Sequence, residues 1–137
     1  VFNTNSSSRL ELMGIALTNM VVLQESHTAY MTLSVTELES CNYQKGDTEG
    51  LVNYGLSLKG IYMSAIFIED SDQNIVKISF RSKGRFSVNQ FSRNHFQGGG
   101  HDNAAGGRST SSLKTTVERF VSLLPTYKEA IAESYES

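Results

Sequence analysis

A chain of 137 residues with 39% hydrophobic and 19% charged residues is long enough to bury one core and is ordinary for a single globular domain. Its formal charge of −2 excludes a global basic field, so any nucleotide site has to be local. The single cysteine, Cys41, excludes an internal disulfide and fits a reducing, cytoplasmic compartment, and no apolar run long enough to span a membrane is present.

The chain starts Val1-Phe2-Asn3-Thr4-Asn5-Ser6-Ser7-Ser8, with neither an initiator methionine nor a signal-peptide pattern, and residues 1–8 read as a linker remnant. Ser7 or Ser8 is expected to cap a helix through Leu10, Leu12, Met13, Ala16, Leu17 and Met20, whose apolar positions recur at helical spacing. Val21-Val22-Leu23 is a short strand. His27 to Val35 alternates apolar and polar residues, as a strand with one buried face does. Thr36 then caps a short helix through Leu38 and Cys41, with Cys41 a small core residue. Asp47 or Thr48 caps another helix, through Leu51, Val52, Tyr54 and Leu56.

Residues 61–69 form a mostly apolar, central strand, 70–74 a turn, and 75–82 a second strand, so 61–82 reads as a hairpin. A helix at 87–96 buries Val88, Phe91 and Phe96. A glycine-rich loop follows, then a short strand near 106–110. Residues 111–124 form an amphipathic helix on Leu113, Val117, Phe120, Val121 and Leu124. Pro125 is expected to interrupt it, leaving 125–137 as a partly helical, solvated tail. The interleaving of strands and helices predicts an α/β fold, a single domain with a central mixed β-sheet flanked by helices.

The most informative stretch is residues 98–107, Gly-Gly-Gly-His-Asp-Asn-Ala-Ala-Gly-Gly. Its glycines allow positive φ and close approach of the backbone to a ligand, and His101 sets a titratable donor at their edge. Exposed N–H groups of Gly99 and Gly100 could cradle phosphate oxygens, with His101 donating to the same phosphate. Arg81 ends an alternating strand. It suits a phosphate as a guanidinium fork, or solvent as a strand end. Lys83 and Arg85 would add local positive potential, and Arg108 is a weaker candidate of the same kind. Glu49 suits a helix N-terminus without any further role, and Asn53 could read a nucleotide or face solvent. His27 and His95 read as structural or exposed. The aspartates are scattered in turns and caps, so no metal-ligand set emerges, and the chain as given should bind and position rather than cleave.

The pattern Gly-Gly-Gly-His-x-x-Ala-Ala-Gly at 98–106 resembles the C-terminal substrate-binding domain of DHH-family phosphoesterases. The run Val76-Lys77-Ile78-Ser79-Phe80-Arg81-Ser82-Lys83-Gly84 is similar to that family's Arg-Ser strand end. Thr48-Glu49-Gly50-Leu51-Val52-Asn53 and Arg9-Leu10-Glu11-Leu12-Met13-Gly14 resemble two further family segments. The resemblance covers about residues 9–124. It implies a preceding DHH catalytic domain in the same chain, ending in linker 1–8, that holds Mn2+ while this chain holds no cofactor. It implies an oligoribonuclease that also dephosphorylates 3′-phosphoadenosine 5′-phosphate. Short RNA or a mononucleotide phosphate would contact Arg81, Ser82, Gly98, Gly99, Gly100, His101, Ala104, Ala105, Gly106 and Asn53. No membrane is implied, and a homodimer of the parent is compatible with it. Cyclic di-AMP phosphodiesterases, polyphosphatases and the C-terminal part of alanyl-tRNA synthetases, where a similar domain contacts RNA without cleaving it, are the alternatives.

Overall fold

The computed structural model describes residues 6–134. Residues 1–5 of the expected linker and the last three residues lie outside that range. In chain order the elements are α1 (Ser7–Thr18), β1 (Val21–Leu23), β2 (Thr28–Leu33), α2 (Val35–Ser40), α3 (Asn53–Leu56), β3 (Met63–Asp70), β4 (Ile75–Ser82), α4 (Val88–His95), β5 (Gly99–His101), β6 (Ala104–Ser109) and α5 (Leu113–Glu133).

The six strands form one mixed sheet in the order β1-β2-β3-β4-β6-β5. Only β2 and β3 run parallel; the other neighbours are antiparallel. A parallel pair needs a crossover. Here the crossover is the stretch from α2 to α3, which crosses one face of the sheet. The predicted 61–82 hairpin is β3–β4, paired from Met63↔Ser82 to Asp70↔Ile75.

Each face carries its own core. Met63, Ala65 and Phe67 of β3 and Val76, Ile78 and Phe80 of β4 alternate toward α4 and α5, where Phe91, Phe96, Phe120 and Leu124 meet them. The Phe80 ring touches Phe91, Phe96 and Phe120 at centroid distances of 5.5, 5.6 and 6.2 Å. On the other face Met31, Leu33 and Ile66 pack under Leu12, Ala16, Leu38 and Leu51. Cys41 is buried there, as expected.

Several local expectations are corrected. Ser6 caps α1 through the Arg9 amide; Ser8 is instead buried and donates to Asp47 Oδ2 at 2.6 Å. Ser34, not Thr36, caps α2, in a reciprocal capping box with Glu37. Residues 44–52 are consecutive turns, because Gly46 and Gly50 adopt φ of 94° and 78°. Asp47 is the hub of those turns. Its carboxylate accepts from Ser6, Ser8 and the Gln44 amide, while Arg9 Nη1 donates to the Asp47 and Glu49 carbonyls. Pro125 does not stop the last helix, since α5 runs through it to Glu133. The turns beyond it bury Ile131 in the core.

Candidate functional site

The glycine-rich stretch is not a loop. Residues 99–101 and 104–109 pair as a hairpin, Gly99↔Gly106, Gly100↔Ala105 and His101↔Ala104, joined through Asp102 and Asn103. The glycines let this hairpin lie close against α4. A Cβ on Gly98 would fall 2.5 Å from Ser92 Oγ, and one on Gly107 would fall 2.9 Å from Phe96 Cβ. Gly99 and Gly100 have φ of 154° and 156°, a conformation that favours glycine.

Strand register brings three predicted residues, Arg81, Ala104 and His101, into one row. Ser64 of β3 pairs with Arg81 of β4, Arg81 with Ala104 of β6, and Ala104 with His101 of β5. Directly paired positions point to the same face. Arg81 and His101 therefore share a face, separated by one strand, or about 10 Å. The next row, Ser79–Gly106–Gly99, is nearly devoid of side chains. The helices α1, α2 and α3 cover this face over β2 and β3, while Gly106, Arg108 and His101 beyond them are exposed. The result is a bare half-sheet with Arg81 on its inner side and His101 on its rim.

Its inner wall is α3. A Cβ on Gly55 would fall 2.1 Å from Ser64 Oγ, so the helix lies directly on the row that contains Arg81. Ser64 Oγ donates to the Val52 carbonyl at 2.7 Å, fixing that contact. Asn53 opens α3 and is exposed. Arg81 is half-buried and donates from Nη1 to the Phe80 carbonyl. Arg108 shares this face with Lys77, whose Nζ pairs with Asp70 at 3.0 Å.

Other predicted residues part company with this row. Ser82 follows Arg81 in a strand and so faces the opposite side. It is buried, donates from Oγ to the Phe86 carbonyl at 2.7 Å and accepts from Asn103 Nδ2 at 3.0 Å. Ser82 thus pins the hairpin turn instead of standing beside Arg81. Ala105 is buried against the core on that same side. The Gly100 N–H donates to Asn89 Oδ1 at 2.9 Å, so it is not the open donor that a phosphate nest would need. Arg85 lines a groove between α4 and α5 together with Phe86, Gln90 and Tyr127, away from the Arg81 row.

Both remaining histidines have structural partners. His27 Nδ1 lies 2.9 Å from the Gly60 carbonyl, with its ring stacked on Tyr62. His95 Nε2 bonds the Tyr127 hydroxyl, and burial, with Arg119 nearby, lowers its pKa. Sequence reasoning missed the residues that hold the hairpin: Ser87, Asn89, Asp102 and Asn103. Ser87 Oγ donates to Asp102 Oδ1, the Val88 amide to the Asp102 carbonyl, and Asn103 Nδ2 to the Gly84 carbonyl. An isolated Asn on a helix carries no signal of such a role. The turn position of Asp102-Asn103 between two glycine-alanine strands does carry one. Among the described residues no group of three or more His, Cys, Asp or Glu could hold a metal ion. The side chains of the described residues therefore do not fit one.

Fold and site together define an α/β domain that presents half of its sheet bare, edged by an arginine and a histidine. The DHHA1 domain model matches residues 28–133, and the chain belongs to that family, the associated domain of DHH-family phosphoesterases. An exopolyphosphatase-related protein from Bacteroides fragilis superposes with a TM-score of 0.90 at 40% identity, over 96% of this chain and 38% of that one. The pGpG-specific phosphodiesterase PggH of Vibrio cholerae superposes with a TM-score of 0.62 at 13% identity, over 90% of this chain and 40% of that one, and shares the fold. The chain thus spans well under half the length of either. No curated protein matches it.

Proposed function

We propose that this domain is the substrate-binding half of a cytoplasmic, manganese-dependent phosphodiesterase that removes mononucleotides from very short RNA and dephosphorylates 3′-phosphoadenosine 5′-phosphate. The observation that carries the reading is the Arg81–Ala104–His101 row across an uncovered half-sheet. In this reading a DHH catalytic domain of the same parent holds Mn2+, which supplies the hydroxide nucleophile. The bare half-sheet faces it across a cleft.

His101 donates to a nonbridging oxygen of the scissile phosphate, where negative charge grows in the transition state. Arg81 grips a second group of the same substrate with its guanidinium. Ala104 and Gly106 leave the floor between them low, so the substrate lies flat across it. Asn53 reads the substrate from the rim of α3. Because the Gly100 N–H already donates to Asn89, its share of the phosphate contacts falls to side chains.

A second reading has one specific support. The Bacteroides fragilis neighbour, at 40% identity, is exopolyphosphatase-related. The same arginine and histidine would suit a polyphosphate chain.

The test is a substrate panel with the intact protein: a two-nucleotide RNA, 3′-phosphoadenosine 5′-phosphate and polyphosphate. Hydrolysis of the first two supports the nucleotide reading, and hydrolysis of polyphosphate alone replaces it. On the preferred substrate His101→Ala should lower kcat by about 10²-fold. Arg81→Ala should act mainly on KM. A His101→Ala protein with an unchanged rate would remove the role given to that side chain.

A further inference from the structure

Strand β5 carries His101 and lies at the edge of the sheet, with a ladder partner on one side only. Such an edge leaves N–H groups open to water, to peptide rotation or to another strand. Here one is taken. Asn89 of α4 lies half-buried beside the strand, and its Oδ1 accepts from the Gly100 N–H at 2.9 Å and from Arg93 Nε at 3.0 Å. Arg93 stands one helical turn beyond Asn89, so it holds the amide with its oxygen toward the strand. The fit is close. A Cβ on Gly99 would fall 3.0 Å from Arg93 Nε and 3.1 Å from Asn89 Oδ1.

Other contacts hold the far side of the hairpin. Ser92 Oγ donates to the Gly106 carbonyl, and Ser82, Ser87 and Val88 hold the turn. Asn89 alone among these side chains acts on the outer edge of β5, one residue before His101. The glycines there have no side chain to restrict their φ and ψ, so this hydrogen bond does what a Cβ would do elsewhere.

We propose that Asn89, oriented by Arg93, is a positioning residue: it clamps the Gly100 peptide and so fixes where His101 stands. The clamp rests on geometry. Its consequence for the reaction rests on the reading of His101 as a phosphate ligand.

The experiment compares Asn89→Leu, which has similar bulk and no acceptor, with Asn89→Asp, which keeps the acceptor and pairs with Arg93. Amide hydrogen exchange and steady-state kinetics are measured on the intact protein. Asn89→Leu should exchange the Gly100 amide about tenfold faster, while amides in β3 and β4 keep their protection. Asn89→Asp should restore it. With the preferred substrate, Asn89→Leu should lower kcat about tenfold with little change in KM, and should add nothing in a His101→Ala background.

The clamp is overturned by unchanged Gly100 exchange in Asn89→Leu, or by Asn89→Asp behaving like Asn89→Leu. A loss of rate that persists undiminished in the His101→Ala background overturns action through His101. Faster Gly100 exchange in Asn89→Leu, with rescue by Asn89→Asp, upholds the clamp even where His101→Ala leaves the rate unchanged, and that pair of results would sink the phosphate role instead.

Discussion

Five glycines in and beside the hairpin look alike in the sequence, yet they do different work. Gly98, Gly99, Gly100 and Gly107 are demanded by the fold, because a Cβ on each would press on protein atoms. Gly106 is not: a Cβ there would meet only the Ile78 carbonyl, at 3.7 Å, an ordinary contact. Glycine inside a strand costs about 0.5–1 kcal/mol relative to alanine. A glycine the fold does not need, on the exposed row beside Arg81, suits close approach of a ligand. Gly106→Ala should therefore leave the urea midpoint unchanged or raise it, while raising KM for the substrate that the proposed function assigns. Gly107→Ala should lose about 1–3 kcal/mol by overpacking against Ser92 and Phe96. Equal stability losses in the two variants would refute the distinction. The Arg81–Ser82 pair teaches a related point. The motif places them side by side, and strand alternation turns them to opposite faces.

At the level of elements, the crossover connection depends on one carboxylate. Asp47 is held below the usual carboxylate range, first by the Ser8 hydroxyl, then by the Gln44 amide, Ser6 and the charge of Arg9. Its folded pKa lies below its unfolded one, so the unfolded chain takes up the proton first as pH falls. The stabilisation is present above about pH 4, the ordinary carboxylate pKa, and is lost as pH drops through the folded value. Asp47→Asn should accordingly be less stable than the natural protein at neutral pH, and urea unfolding should show that gap narrowing as pH falls below about 4. A gap of constant size would place the contribution of Asp47 elsewhere. Of the helix read from Asp47 or Thr48 through Leu56, only the last turn forms, as α3, because Gly46 and Gly50 adopt positive φ and hold the residues before it in turns. The carboxylate that looked like a cap binds instead to α1, across 39 residues of chain.

Across the whole molecule, the two faces of the sheet differ in how they are closed. The face under α4 and α5 is closed over β3, β4 and β6, and the end of α5 takes part. Ile131 is fully buried, and the Ser134 hydroxyl accepts from the Phe86 amide and donates to the Lys83 carbonyl. Proline inside a helix removes one backbone bond and costs about 3 kcal/mol. Burial beyond Pro125 offsets that cost, which local propensity could not reveal. Ile131→Ala should lose about 2–5 kcal/mol in urea unfolding, as a core residue does. A loss within about 0.5 kcal/mol, typical of exposed positions, would make 125–137 the solvated tail read from the sequence. The opposite face is closed over β2 and β3 and open over β6 and β5. That asymmetry creates the candidate site.

Local periodicity and motif were enough for much of this. The β3–β4 hairpin, the helix before the glycines, the mixed α/β class and the DHHA1 family were all legible, because alternation, helical spacing and the Gly-Gly-Gly-His pattern are properties of neighbouring residues. What only the tertiary structure decided was which groups meet. It folded the glycine loop into a paired hairpin, set Arg81 and His101 in one row and turned Ser82 away. It also gave the Gly100 N–H to Asn89 and carried α5 through Pro125. Most of these depend on which strand lies beside which and on which face a helix covers. Periodicity and motif do not report which hydrogen-bond partner or which neighbouring face packing selects, even where the partner is a few residues away.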